Sequence, residues 1–179
     1  VGLLPVEHAA VLETCDALEA AGAIRAVRFR VDQYGQIDLE SFERACSDGM
    51  DLACVMAANN EIGTIYPLEK IAKISRRYGV CFLSDATQAV GKIPINVDAW
   101  GIDLLACSAH KIYGPKGVGA LVLGTEHAVA PLTFGGGQQK GLRPGTLNVP
   151  GIVGLGEACR LRSFEMLEDE LAIARRREG

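Results

Sequence analysis

The 179-residue sequence has no apolar run approaching the roughly 18–20 residues that a membrane helix needs. Its N-terminus lacks the charged, apolar and small-residue zones of a signal peptide. Basic residues never cluster except at Arg175-Arg176-Arg177, and the formal net charge is −4. Neither nucleic acid nor an anionic membrane surface is therefore expected as a partner. Histidine is scarce, with three in the chain and none at helical spacing from a zinc-type partner. No metal site is expected. The six cysteines, at 15, 46, 54, 81, 107 and 159, form no CxxC pair and keep no regular spacing. Cys54, Cys81 and Cys107 sit inside apolar runs, where cysteine behaves as a small hydrophobe. The set reads as reduced and mostly buried, which places the protein inside the cell, in the cytoplasm.

What is present is ordinary globular material, 49% apolar and 22% charged, enough for one sizeable domain and part of another. The chain opens at Val1 without an initiator methionine and closes inside a helical pattern. It reads as a piece of something longer. Residues 1–150 are expected to form one large domain, incomplete on its N-terminal side. Residues 151–179 are expected to form a long helix leading toward a further domain.

Hydrophobic periodicity gives the elements. From Glu7 to Ala20, Val11, Leu12, Cys15 and Leu18 recur at helical spacing, and Gly22 closes the segment. "AVRFRV" (26–31) alternates, with Val27, Phe29 and Val31 on one face of a half-buried strand and Arg28 and Arg30 on the other. A short helix is predicted over 39–46. "LACVMA" (52–57) is continuously apolar, as a strand covered on both faces would be. Pro67 opens a helix that Gly79 ends. "VCFLS" (80–84), "DLLACS" (103–108) and "GALVLG" (119–124) are further strands. From Gly151 the pattern predicts one helix with Ile152, Leu155, Ala158 and Cys159 inward. Strands alternating with helices indicate an α/β fold with a mainly parallel sheet.

Open α/β sheets bind ligands beyond the carboxyl ends of their strands. After 52–57 come Asn59, Asn60 and Glu61. After 80–84 come Asp85, Thr87 and Gln88, and after 103–107 come Ser108, His110 and Lys111. Three strands thus end in chemically capable side chains. A carboxylate, a lysine and hydroxyl and imidazole donors suit a cofactor that is both an aldehyde and a phosphate, which describes pyridoxal phosphate. A lysine forms a Schiff base with its aldehyde, and an aspartate keeps its pyridinium nitrogen protonated. Lys111 and Asp85 fit those roles, with Ser108 and His110 in reach of the phosphate. Alone, Lys111 reads as a solvated strand tip, and Asp85 or His8 as a helix cap. "GPKGVG" lacks the ending of a phosphate-binding P-loop and reads as the turn into strand 119–124.

"NNEIGTIYPLEKIA", "DATQAVGKIPI", "SAHKIYGPKGVGAL" and "GGGQQKGLRPGTLNVPGIVGLGEA" together resemble the pyridoxal-phosphate-dependent cysteine desulfurases of iron–sulfur cluster assembly and nitrogen fixation, within the class V aminotransferase superfamily. The resemblance covers essentially the whole chain. It implies the large-domain part of a fold-type I transferase, a three-layer α/β sandwich. Lys111 would be the Schiff-base lysine and the carrier of the α-proton. Asp85 would pair with the pyridinium nitrogen and Gln88 with the ring hydroxyl. Asn60 would lie at the substrate and ring, and His8 in "VEHAAVLETC" would stack on the ring. Ser108 and His110 would hold the phosphate, joined by Thr146 of "RPGT" from the other subunit of a homodimer.

The implied reaction converts L-cysteine to L-alanine and leaves the sulfur on an enzyme cysteine as a persulfide, for delivery to a sulfur-acceptor or iron–sulfur scaffold protein. Selenocysteine lyase or another class V enzyme keeps the same cofactor, and a catalytically inert module of the same fold is the non-enzymatic alternative. None of the six cysteines corresponds to the family's persulfide cysteine, which lies beyond "RPGT". The family's substrate-carboxylate arginine and the phosphate loop ahead of His8 also have no counterpart here. The 179 residues alone are accordingly expected not to turn over cysteine. Smaller departures are Val6 for Thr or Ser, Tyr66 for Gln, and Gln138 to Lys140 for a Glu-Arg pair.

Overall fold

The structure, a computed structural model, describes residues 1–124 and 129–178. The chain divides into two compact units. The first takes residues 1–90, 94–107 and 121–124, and the second takes 91–93, 108–120 and, among the described residues, 129–178.

The first unit is built on a sheet. Its strands are β1 (Gly2–Leu3), β2 (Val27–Arg28), β3 (Leu52–Cys54), β4 (Cys81–Asp85), β5 (Leu104–Ser108) and β6 (Gly119–Leu123), in the order β2-β1-β3-β4-β5-β6. Neighbours from β2 through β5 are parallel. At the β6 edge, Gly124 N–H bonds Asp103 O at 2.7 Å and Ala109 N–H bonds Val118 O at 3.0 Å, the pattern of an antiparallel neighbour. The expected α/β architecture with a mostly parallel sheet is present.

Strand alternation sorts the layers. Leu3, Leu52, Cys54 and Leu83 share one face and pack with Val11, Leu12 and Cys15 of α1 (Ala9–Ala20). On the opposite face, Phe29 meets Phe42 of α2 (Leu39–Ser47) edge-on, with ring centroids 4.9 Å apart. Beside α2 lies α3 (Leu68–Arg77), which buries Leu68, Ile71, Ala72 and Ser75. A fourth short helix, α4 (Val97–Trp100), is capped by Asn96. Successive crossovers therefore leave on opposite faces. The chain goes from β1 through α1 to β2 on one side, then through α2 to β3 on the other side of β1. The strand order reverses between β1 and β3, and in such sheets a crevice opens at that reversal.

Three expectations need correcting. Only Val27–Arg28 of the 26–31 segment pairs in the sheet, because the chain turns back after Phe29 and closes an antiparallel bridge between Val31 and Ile37. Leu18 is 42% exposed, since the last turn of α1 runs past the sheet. The third correction lies in the second unit, whose main element is α5 (Val149–Glu178). Its buried stripe is Gly151, Leu155, Ala158 and Arg162, whereas Ile152 and Cys159 face outward. The true stripe runs through an arginine, which an apolar pattern skips. Gly154 lets α5 approach the Gly-Pro-Lys-Gly turn closely: a Cβ there would meet Pro115 Cγ at 2.5 Å. Among the described residues, no helix is long and apolar enough to cross a membrane.

Candidate active site

At the β1/β3 reversal, the residues following each strand converge. Pro5 to Ala9 after β1 and Asn59 to Ile62 after β3 line a cleft of about 400 Å³ that includes both His8 and Asn60. A larger cavity of about 690 Å³ opens in the first unit among Val1, Ile24, Asp48 and Met50. It gathers none of the candidate residues and borders the amino ends of β1 and β2, the wrong edge of a parallel sheet for a ligand.

The loop carrying Asn60 is held by its neighbour. Asn59 is 7% exposed, and its Oδ1 accepts the N–H groups of Glu61 (2.8 Å) and Ile62 (3.0 Å). Its Nδ2 donates to Val6 O at 2.9 Å, tying the loop to the segment after β1. A bridge between Ala58 and Ile65 closes the loop. Asn60 is left exposed at the cleft. His8 is the N-cap of α1: its Nδ1 accepts Ala10 N–H at 3.1 Å, which puts a neutral ring's proton on Nε2. The capping role weighed for His8 is real, and it fixes the ring at the rim of the cleft. Tyr66 is part of the scaffold, buried at 3% exposure with its hydroxyl on Gly35 O at 2.8 Å.

Asp85 ends β4, next to β3 in the sheet. Its carbonyl accepts Ala57 N–H at 2.8 Å, and its Oδ1 accepts Thr87 N–H at 2.9 Å, which orients the carboxylate. Gln88 follows, half-buried in the same turn. Three adjacent parallel strands thus bring His8, Asn60, Asp85 and Gln88 to one edge.

In the second unit, Ser108 Oγ lies 2.8 Å from His110 Nδ1, and Lys111 ends the single 3₁₀ turn Ala109–Lys111 with its side chain exposed. Two residues further on, Tyr113 has a left-handed backbone (φ 66°). Lys92 is surface-reaching, yet its amine is held below its ordinary range, by partial desolvation first and then by the charges of Lys111 and Arg162. Arg162 is itself buried. It donates from Nε to Gly91 O at 2.8 Å, pairs with Asp169, and lies over the Tyr113 ring at 5.9 Å. Thr146 is exposed in the loop before α5.

Sequence reading missed Glu7, Lys92 and Arg162. Glu7 is only 5% exposed and lies between β1 and His8. Burial, with a smaller push from Asp85, raises its carboxyl to about 8 despite the Met56 N–H that it accepts. A charged residue inside "LLPVEH" was the available signal. Four of the thiols are pushed away from the activation that a nucleophile needs. Burial pushes Cys54 up to about 12 and Cys46 to about 11, and it raises Cys15 and Cys81 as well.

Residues 3–175 match the model of the aminotransferase class-V family. The chain belongs to that family. It is 50% identical over 156 residues to a cysteine desulfurase of Cereibacter sphaeroides, covering 87% of this chain and 40% of that protein. A solved NifS-like protein superposes with a TM-score of 0.88 at 40% identity, over 93% of this chain and 47% of that one. A structure described as SspA in complex with cysteine follows at 0.83 and 39% identity, over 89% of this chain and 47% of that one. The chain spans about two fifths of the length of the curated relatives it matches.

Proposed function

We propose that this chain is the cofactor-bearing part of a pyridoxal-phosphate-dependent cysteine desulfurase. The observation that carries the reading is the convergence of His8 and Asn60 on one cleft at the β1/β3 reversal, with Asp85 and Gln88 ending the next strand. The donor set fits the cofactor. An oriented carboxylate suits a protonated ring nitrogen, a primary amine suits an aldehyde, and a hydroxyl–imidazole pair suits a phosphate. When bound, pyridoxal phosphate supplies an electrophilic aldehyde and an electron-accepting ring.

The chain's own residues do the rest. Asp85 holds a proton at the ring nitrogen, and Gln88 orients the ring hydroxyl. His8, its Nδ1 engaged by the helix cap, presents a ring of fixed orientation to the cofactor face. Ser108 and His110 hold the phosphate, with Thr146 contributed across a homodimer. Lys111 holds the cofactor and moves the proton at the substrate's α-carbon.

The substrate is L-cysteine. Its sulfur passes to an enzyme thiol, giving L-alanine and a persulfide, and the persulfide is delivered to a sulfur-acceptor or iron–sulfur scaffold protein in the cytoplasm. The SspA relative solved with cysteine supports that substrate class. Cys15, Cys46, Cys54 and Cys81 are held as thiols, so the accepting thiolate is none of these four.

The test is covalent attachment. Protein incubated with pyridoxal phosphate and reduced with borohydride should carry the label on the peptide containing Lys111, and Lys111→Ala should carry none. A label elsewhere, or retained in the variant, removes Lys111 from this role. The full-length gene product should release alanine from cysteine in step with sulfide under a reductant.

A further inference from the structure

We propose that Glu7 is a positioning residue of this site that works as a neutral carboxylic acid, holding the segment after β3 against the segment after β1. The argument starts from its hydrogen bonds. Glu7 Oε1 accepts Met56 N–H at 2.7 Å, while Oε2 is buried without a partner. No ion pair to Glu7 occurs among the described residues. A buried carboxylate in that setting leaves a charge unpaired and an oxygen unsatisfied. The acid form keeps the bond that Oε1 accepts and replaces an unpaired buried charge with a neutral O–H at Oε2, which costs less to bury.

The bond also has a place in the fold. Met56 is held on one side by Glu7, and Ala57, the next residue, donates its N–H to Asp85 O at 2.8 Å. Asn59 adds its bond to Val6 O. The residues on either side of Met56 and of Glu7 are thereby stitched together, and the two stitched segments end in Asn60 and His8. Glu7 borders the cleft beside this pair and fixes it through the bond to Met56.

The titratable groups coupled to Glu7 are Asp85, Tyr66, Cys54 and Cys15, and exposed Glu61 lines the same cleft. Asp85 pushes the Glu7 carboxyl upward, and Tyr66, Cys54 and Cys15, all influenced by Glu7, are themselves held in their neutral forms. His8 is the neighbour along the chain, tied to Ala10. Of two carboxyl groups in unlike surroundings, the desolvated one keeps the proton. The role given to Asp85 rests on the cofactor reading, whereas the protonation of Glu7 does not.

The experiment uses protein without added cofactor, with side-chain carboxyl carbons labelled for NMR and the Glu7 signal assigned by its loss in Glu7→Gln. Glu7 should titrate near pH 8, and Asp85→Asn should lower that midpoint while leaving it above the ordinary glutamate range. The Met56 amide should keep its protection from hydrogen exchange in Glu7→Gln and lose it in Glu7→Ala. A Glu7 already ionised at pH 6, a midpoint unmoved by Asp85→Asn, or a Glu7→Gln protein that cannot fold would each overturn the proposal. Failure to bind pyridoxal phosphate would count against the proposed function and leave these readouts unchanged.

Discussion

Replacing Glu7 by glutamine should make this protein more stable, and only above a certain pH. The folded carboxyl titrates at about 8, against an ordinary value of 4.5. Below pH 4.5 both states hold the proton, so the group has no differential effect. Between the two values the unfolded chain ionises while the folded chain does not, and stability falls as pH rises. The 3.5-unit gap corresponds to about 5 kcal/mol once both states are ionised, of which about 3 kcal/mol is already lost at pH 7. Glutamine cannot ionise and keeps the bond to Met56 N–H. Wild type and Glu7→Gln should therefore match within about 1 kcal/mol near pH 4.5 and diverge by several kcal/mol at pH 9, with the variant ahead. Urea unfolding followed by circular dichroism at pH 5, 7 and 9 measures this, provided the m-value stays constant. Titrating groups that do not interact with Glu7 are common to the two proteins and cancel in the difference, and the coupled Tyr66, Cys54 and Cys15 are all raised. A gap that is flat with pH, or that favours wild type at pH 9, would refute the reasoning.

Asp85→Asn should retain bound cofactor yet slow exchange of the substrate α-proton by orders of magnitude, measured by deuterium wash-in; near-normal exchange would remove Asp85 from the ring nitrogen. Asn59→Ala deletes four hydrogen bonds, one of them to the Met56 sulfur, from a buried side chain and should cost about 2–4 kcal/mol, whereas exposed Asn60→Ala should stay within about 0.5 kcal/mol in the same denaturation assay. Gly91→Ala should lose about 1–3 kcal/mol in thermal unfolding, because φ is +70° there and the new Cβ would meet Arg162 Cβ and Cγ at 3.0 Å. Phe82→Ala empties a fully buried site on β4 and should cost about 3–5 kcal/mol by the same measurement.

The sequence exposed those parts of the fold whose causes are local. The continuous apolar runs at 52–57, 80–84 and 103–108 announced strands covered on both faces, and the sheet places β3, β4 and β5 within them. Strand β1 escaped notice because Gly2–Leu3 offers two residues, too few for any period. Its importance comes from long-range order: it sits between β2 and β3, and that placement creates the crevice. The α5 stripe was misjudged because its fourth member is Arg162. That arginine is buried through contacts to Gly91 and Asp169, and hydropathy cannot foresee them. Glu7 was hidden for the same reason, since its burial depends on Met56 and Asp85, which are 49 and 78 positions away along the chain.

The residues at the cleft come in unlike pairs, and the pairing has a physical basis. Glu7 is buried beside exposed His8, and Asn59 is buried beside exposed Asn60. A chain leaving a strand still turns successive side chains to opposite sides, so a polar residue offered to a ligand places its neighbour toward the protein interior. That neighbour must then satisfy its own polar atoms. Asn59 does so with four hydrogen bonds, whereas Glu7 makes one bond at Oε1 and leaves Oε2 without a partner. The inward members bond to each other's segments, Asn59 to Val6 O and Glu7 to Met56 N–H, so each outward residue is positioned by contacts it does not make itself. This is why "NN" and "EH" carry more information as dipeptides than as single residues. Exchanging Glu7 and His8 would turn a carboxyl outward, bury an imidazole and remove the bond to Met56 N–H that positions the segment.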